Sequence, residues 1–208
     1  MEVPRASPRG RSPLGFDPID EARRQWVAHG WTDAADAMAV VTSVIRVEQI
    51  VMGRIDALLK PEGLTFARYE LLVLLDFSRK GAMPLGKIGA RLQVHPASVT
   101  NAVDRLESDG LVERRAHPDD GRTTLAAITA AGRQRARSAT KLLNDGVFAT
   151  LELDPHELEL LFSTLRRFRA TAGDFVTDPA QPGEPADPSA DAGADIDANI
   201  NADGDRAI

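Results

Sequence analysis

Residues 84–129 read PLGKIGARLQVHPASVTNAVDRLESDGLVERRAHPDDGRTTLAAIT. Leu85, Ile88 and Leu92 recur at i, i+3 and i+7, which gives a short helix one apolar stripe. Gly81 and Pro84 stand just before it, and Gln93, Val94 and His95 form the turn after it. Pro96 suits the first position of a second helix, where its missing N–H leaves nothing unsatisfied. Along that helix Val99, Ala102, Val103 and Leu106 share an inward face, and Gly110 suits the residue just past its end. Residues 111–117 (LVERRAH) and 123–128 (TTLAAI) read as two strands joined through the turn-rich Pro118, Asp119, Asp120 and Gly121.

Helix, turn, helix and hairpin in that order predict a winged helix-turn-helix, a shape whose second helix fits the major groove of DNA. The outward face of that helix carries Pro96, Ala97, Ser98, Thr100, Asn101, Asp104, Arg105 and Ser108. Small residues near its start let the backbone approach base edges. Asn101 can bond adenine bidentately, Ser98 and Thr100 can bond several bases, and Arg105 can reach guanine or phosphate. Taken alone, the helix also fits a plain amphipathic helix with a solvated polar face. The Arg-bearing hairpin tips the reading to DNA, because an arginine at a wing tip can enter the minor groove. That role falls to Arg122, with pairing to Asp119, Asp120 or Asp104 as the structural alternative. For Arg114 and Arg115, phosphate contact and structural pairing stand level.

The phrases SVTNAVDRLESDGLVERR, DDGRTTLAAIT and TAAGR, with GLTFARYELLVLL upstream, resemble the MarR family of bacterial transcriptional regulators. The resemblance covers roughly residues 33–172. It implies a mainly α fold with a small β-hairpin wing (α+β). It also implies a homodimer on a pseudo-palindromic operator in double-stranded DNA, acting as a repressor released by a small ligand, with no cofactor.

The expected domain spans residues 17–176, with a DNA-binding lobe at about 64–129 and dimerisation helices at about 17–62 and 130–173. Residues 1–16 form a basic arm carrying Arg5, Arg9 and Arg11, and 177–208 form an acidic tail. Both are poor in large apolar residues and are expected to be disordered. The net charge of −6 looks wrong for a DNA binder until it is divided. The tail holds eight acids and one base, or −7, which leaves +1 for residues 1–176. Residues 79–122 hold eight Lys or Arg against six Asp or Glu, a modest local excess that permits DNA binding without demanding it.

The remaining helices are expected at about Pro18–Gly30, Asp33–Leu59, Thr65–Arg79, Thr129–Phe148 and Pro155–Ala172. On the long second one Val40, Val44, Val47, Val51, Ile55 and Leu58 recur at spacings of three and four. Thr65 and Thr129 are N-cap candidates, and Asp154, Pro155 and Glu157 spell a capping box. The last helix carries the stripe Leu158, Leu161, Phe162, Leu165 and Phe168. Such terminal helices can close a monomer core; the family resemblance implies that they interdigitate with a second copy instead.

Enzyme readings fare poorly. The four histidines, His29, His95, His117 and His156, are scattered without metal spacing, and there is no Gly-rich phosphate loop or G-x-S-x-G. No metal site is expected. Cysteine is absent, so thiol chemistry is excluded. The longest aliphatic run is Leu71–Leu75, far short of a membrane span, and the start lacks a secretory apolar core. A cytoplasmic protein is the expectation.

The segment DPIDEARRQWVAHGW gathers Arg23, Arg24, Trp26 and Trp31. Aromatic rings beside guanidiniums suit a phenolic acid or a purine-like anion. The segment resembles an extra first helix in urate-responsive family members, in which a Trp and an Asp line a pocket. Trp26 matches the Trp, and the acid falls at Glu70, a departure that puts urate itself in doubt. The structural alternative is that Trp26 and Trp31 simply pin the helix to the dimer. The competing functional class is a winged-helix module for protein assembly without sequence-specific DNA contact.

Overall fold

The computed structural model describes residues 14–118 and 122–175. The basic arm up to residue 13, the wing tip at 119–121 and the acidic tail lie outside the described residues. The chain divides into two compact units, Met1–Glu152 and Leu153–Ile208.

The first unit runs α1 (Pro18–Ala28), α2 (Thr32–Leu59), α3 (Phe66–Phe77), β1 (Ala82–Pro84), α4 (Leu85–Leu92), α5 (Pro96–Ser108), β2 (Val112–Ala116), β3 (Thr124–Ile128) and α6 (Ala130–Gly146). The second unit contains α7 (Pro155–Thr171). Single 3-10 turns follow α2 at Lys60–Glu62 and α6 at Phe148–Thr150.

Side-chain caps place most of the helix starts. Thr65 accepts from the Arg68 N–H to open α3. Thr129 accepts from the Gly132 N–H at 3.0 Å and donates to the Gly110 carbonyl at 2.9 Å, so one hydroxyl opens α6 and ties it to the end of α5. Gly132 is required there: a Cβ would fall 2.1 Å from the Leu111 carbonyl oxygen. At α7 the capping box forms in full. Asp154 accepts from the His156 and Glu157 N–H groups at 2.8 and 2.9 Å, and Glu157 accepts from the Asp154 N–H at 2.9 Å.

The core of the first unit gathers around α3. Leu71, Leu72 and Leu75 are fully buried against Leu59 of α2, Ile88 of α4, Val103 and Leu106 of α5, and Leu143 of α6. Burying such side chains contributes roughly 1.5–3 kcal/mol each before cavity effects.

The hairpin expected from the sequence acquires a third strand. β1 pairs antiparallel with β3, giving the order β1-β3-β2. Gly81, in the left-handed region at φ 62°, turns the chain into β1. A three-residue strand is too short for alternation to reveal it. The β2–β3 register runs from Val112↔Ile128 to Ala116↔Thr124.

On α2 the apolar stripe divides. Ile55 is buried and Val51 and Leu58 pack on the core, whereas Val40, Val44 and Val47 are exposed. No helix among the described residues is long and apolar enough to cross a membrane.

Candidate nucleic-acid interface

Gln93 ends α4 in the left-handed conformation, φ 53°. That bend, with Gly89 packed against the Val94 carbonyl and Val99, turns the chain sharply into α5. His95 is the N-cap of α5. Its Nδ1 accepts from the Ala97 N–H at 3.2 Å, and Pro96 occupies the first turn. His95 therefore closes the turn by capping α5.

Val99, Val103 and Leu106 anchor α5 inward at 2% exposure or less. Pro96, Ala97, Ser98, Thr100, Asn101 and Arg105 are all exposed. Thr100 Oγ1 donates to the Pro96 carbonyl at 3.1 Å, which leaves its lone pairs outward. Ser98 and Asn101 have no side-chain partner among the described residues. A helix pinned on one face, with short polar side chains on the other, can enter a groove without rearranging its own bonds.

The wing is fastened to this helix. The Arg114 backbone N–H donates to Glu107 Oε1 at 3.0 Å, and its guanidinium reaches the carboxylates of both Glu107 and Asp104. Those hydrogen bonds, Asp104's first, hold the guanidinium pKa above its ordinary value. Of the two readings for Arg114, structural pairing is what the geometry displays. Arg115 is exposed and pairs with Glu113 on its own strand. The His117 N–H donates to the Thr123 carbonyl at 3.1 Å and closes the base of the hairpin. Arg122 is exposed and borders the wing tip.

Arg105 sits well along α5 and joins Arg68 and Arg135 in lining a cleft. The sequence reading did not single out this cluster, because its arginines come from three separate helices.

The residues expected at an effector site are placed as follows. Trp26 of α1 and Trp31, which directly precedes α2, meet edge to face with centroids 5.2 Å apart, and His29 stacks on Trp31. Arg23 bonds Asp36 of α2 at 2.6 Å, and Arg24 pairs with Glu21 and Asp20. Both guanidiniums therefore brace α1, as does the tryptophan pair. Glu70 is half-buried on α3, without a partner among the described residues, and burial pushes its carboxyl above the usual carboxylate range. On α7, Leu158, Leu161, Phe162, Leu165 and Phe168 are 38–67% exposed. Among the described residues no group of three or more His, Cys, Asp or Glu could hold a metal.

A buried-anchor helix preceded by a tight turn and bonded to a wing defines a winged helix-turn-helix. The MarR family model matches residues 64–124. Sco5413, a MarR family transcriptional regulator from Streptomyces coelicolor, is 51% identical; the match covers 67% of this chain and 97% of that one, with a TM-score of 0.61. The chain belongs to the MarR family, whose members are transcriptional regulators rather than enzymes. Sco3205 from the same organism, solved in complex with DNA, shares the fold at 24% identity and TM-score 0.60, covering 66% of this chain and 88% of that one. Among curated relatives, YdgJ of Bacillus subtilis, an HTH-type transcriptional regulator, is 32% identical over 51% of this chain. The chain spans 65% of that relative's length, and 50% of two mycobacterial relatives.

Proposed function

We propose that this protein is a homodimeric, sequence-specific repressor that binds a pseudo-palindromic operator and is released by a small ligand. The observation that carries the reading is the exposed polar start of α5, held rigid by Val99, Val103 and Leu106 and fastened to the wing through Arg114. Pro96 and Ala97 allow close approach, while Ser98, Thr100 and Asn101 read bases. Arg105 and Arg115 meet backbone phosphates, and Arg122 reaches the minor groove.

The second copy is supported by apolar side chains that the protomer leaves exposed. Val40, Val41, Val44, Ile45 and Val47 of α2 are 48–62% exposed, and the α7 stripe is exposed as well. Buried between two chains, such surfaces favour an isologous dimer, which sets two recognition helices about one DNA turn apart. Dimerisation is assigned to the helices at about 17–62 and 130–173, the DNA contacts to about 64–129, and the setting to the cytoplasm.

The ligand is a planar aromatic or heteroaromatic anion, a phenolic acid or purine-like molecule, bound near Trp26 with Arg23, Arg24 and Glu70 as polar partners. CouR from Rhodococcus jostii, similar in fold, is bound to p-coumaroyl-CoA.

The test is to sequence the DNA that co-purifies with the protein from its native cell and to titrate the recovered sites. The expected result is an enriched motif with two-fold related halves about 10 base pairs apart, centre to centre. Recovery of unenriched DNA, bound no better than random duplex, rejects the reading in favour of an assembly module.

A further inference from the structure

At the C-terminal end of α5, Arg68, Arg105, Ser108, Asp109 and Arg135 line a cavity of about 640 Å³. Three guanidiniums face one lining carboxylate. Their existing bonds leave most of their N–H groups open, since each guanidinium carries five. Arg68 Nε donates to Thr65 Oγ1 at 3.3 Å, and its Nη1 lies 3.7 Å from Asp109 Oδ2, beyond hydrogen-bond range. Arg135 donates to the Glu62 carbonyl and lies 3.5 Å from the Glu62 carboxylate. Arg105 has no partner among the described residues. The neighbouring wall is Gly63, in the left-handed region at φ 70°, where a Cβ would begin 3.9 Å from an Arg135 nitrogen.

Gathering three like charges around a partly enclosed space raises the energy of each, and a bound dianion offsets that repulsion. The first turn of α3 and the last turn of α5 direct opposing dipoles at the cleft, so the guanidiniums supply the attraction. Planar forks on several sides match tetrahedral phosphate oxygens bidentately. The volume suits a small organic ligand. The cleft also lies away from the base-reading start of α5. Arg105 is nine residues beyond Pro96, about 14 Å along the helix axis.

We propose that this cleft binds a small phosphorylated metabolite, a phosphomonoester or diphosphate, as a ligand site separate from Trp26 and α1. The ligand bridges α5 to α3 and α6. It engages Arg105 and adds negative charge beside the recognition helix, so it weakens DNA binding. That consequence rests on the DNA-binding reading; the binding itself does not.

The probe is inorganic pyrophosphate, titrated calorimetrically into the full chain at fixed ionic strength, with chloride as control. One saturable site per protomer is expected. Arg68→Gln, Arg135→Gln and Arg105→Gln should each weaken it about tenfold, and Arg105→Gln breaks no described contact, so its fold is retained. No saturable binding, or unchanged affinity in all three variants, overturns the site.

A second arm titrates labelled random and recovered-site duplexes. Pyrophosphate should weaken duplex binding by wild type beyond the matched salt control. It should not do so for Arg68→Gln or Arg135→Gln, whose ligand-free duplex affinity should equal that of wild type. If those two variants lose ligand-free duplex affinity, the anion held there is a DNA backbone phosphate and the metabolite proposal fails. A wild type that binds no duplex sinks the regulator reading, while the pyrophosphate titration still decides the site.

Discussion

Arg114 on β2 bonds Glu107 on α5 twice, once through its backbone N–H and once through its guanidinium. Together with the guanidinium's reach to Asp104, this makes wing and recognition helix one rigid piece. Hydrogen bonds to charged groups contribute about 1.5–3 kcal/mol when sheltered, and this one is partly exposed. Arg114→Ala should therefore lower stability by about 1–2 kcal/mol in urea unfolding. Arg115→Ala should leave stability unchanged within about 0.5 kcal/mol, because its partner Glu113 is a neighbour on the same exposed strand edge. Equal losses in the two variants would reject the clasp.

Asn101 and Arg122 should divide the DNA contacts. Asn101→Ala should weaken operator binding by about 1–3 kcal/mol and random duplex hardly at all, because base contacts discriminate. Arg122→Ala should weaken both duplexes alike and lower the slope of log affinity against log salt. Fluorescence anisotropy on both duplexes at several salt concentrations checks this. A uniform loss across both DNAs for both variants contradicts the division.

The fold was legible wherever a short-range physical rule applied. The apolar spacing of Val99, Val103 and Leu106 placed the inner face of α5, and the caps at Thr65, Thr129 and Asp154 placed three helix starts. β1 escaped because three residues carry no period, and its pairing with β3 lies far along the chain. The site was legible in part. The exposed residues at the start of α5 follow from helix phase alone. The Arg114 clasp depends on how β2 crosses α5, and the Arg68, Arg105 and Arg135 cleft on how three helices meet. Neither leaves a local mark in the sequence. The same holds for Arg23, whose partner Asp36 lies on α2, whereas Arg24's partners Asp20 and Glu21, four and three residues before it, follow the ordinary helical spacing of ion pairs.

The homodimer should depend on α7. Leu161 and Leu165 are 49% and 38% exposed, so replacing both with Glu leaves the buried core around Leu72 and Leu106 untouched. The double variant should sediment as a folded monomer at micromolar concentration, with wild type as a dimer. A wild type that is itself monomeric under those conditions rejects the assignment.

Glu70 should make stability depend on pH. Burial raises its carboxyl pKa in the folded chain above the unfolded value of about 4.3. The folded state then binds the proton more tightly. The contribution is stabilising below the unfolded pKa and is lost as pH rises through the folded pKa. At neutral pH the ionised, half-buried carboxylate opposes folding. Glu70→Gln should melt above wild type at neutral pH and converge with it below about pH 4. Parallel melting curves across that whole range would exclude the effect.

Trp26 decides between a ligand wall and a structural pin. Its edge-to-face contact with Trp31 and the Arg23 bond to Asp36 already brace α1 on α2. A ligand acting at this place must favour one protein state over the other, since equal affinity for both shifts nothing. Moving the two recognition helices out of register with successive grooves is enough, and a coupling of about 1–3 kcal/mol gives a 5–150-fold loss of DNA affinity. Tryptophan fluorescence against a panel of phenolic acids and purines, read beside operator binding, identifies the effector. Trp26→Phe keeps an aromatic ring against Trp31, so the fold and the ligand-free operator affinity should survive. The response to the effector should fall about tenfold or more, because the larger indole face is lost. A Trp26→Phe protein that responds as wild type does makes Trp26 a pin and moves the effector away from α1.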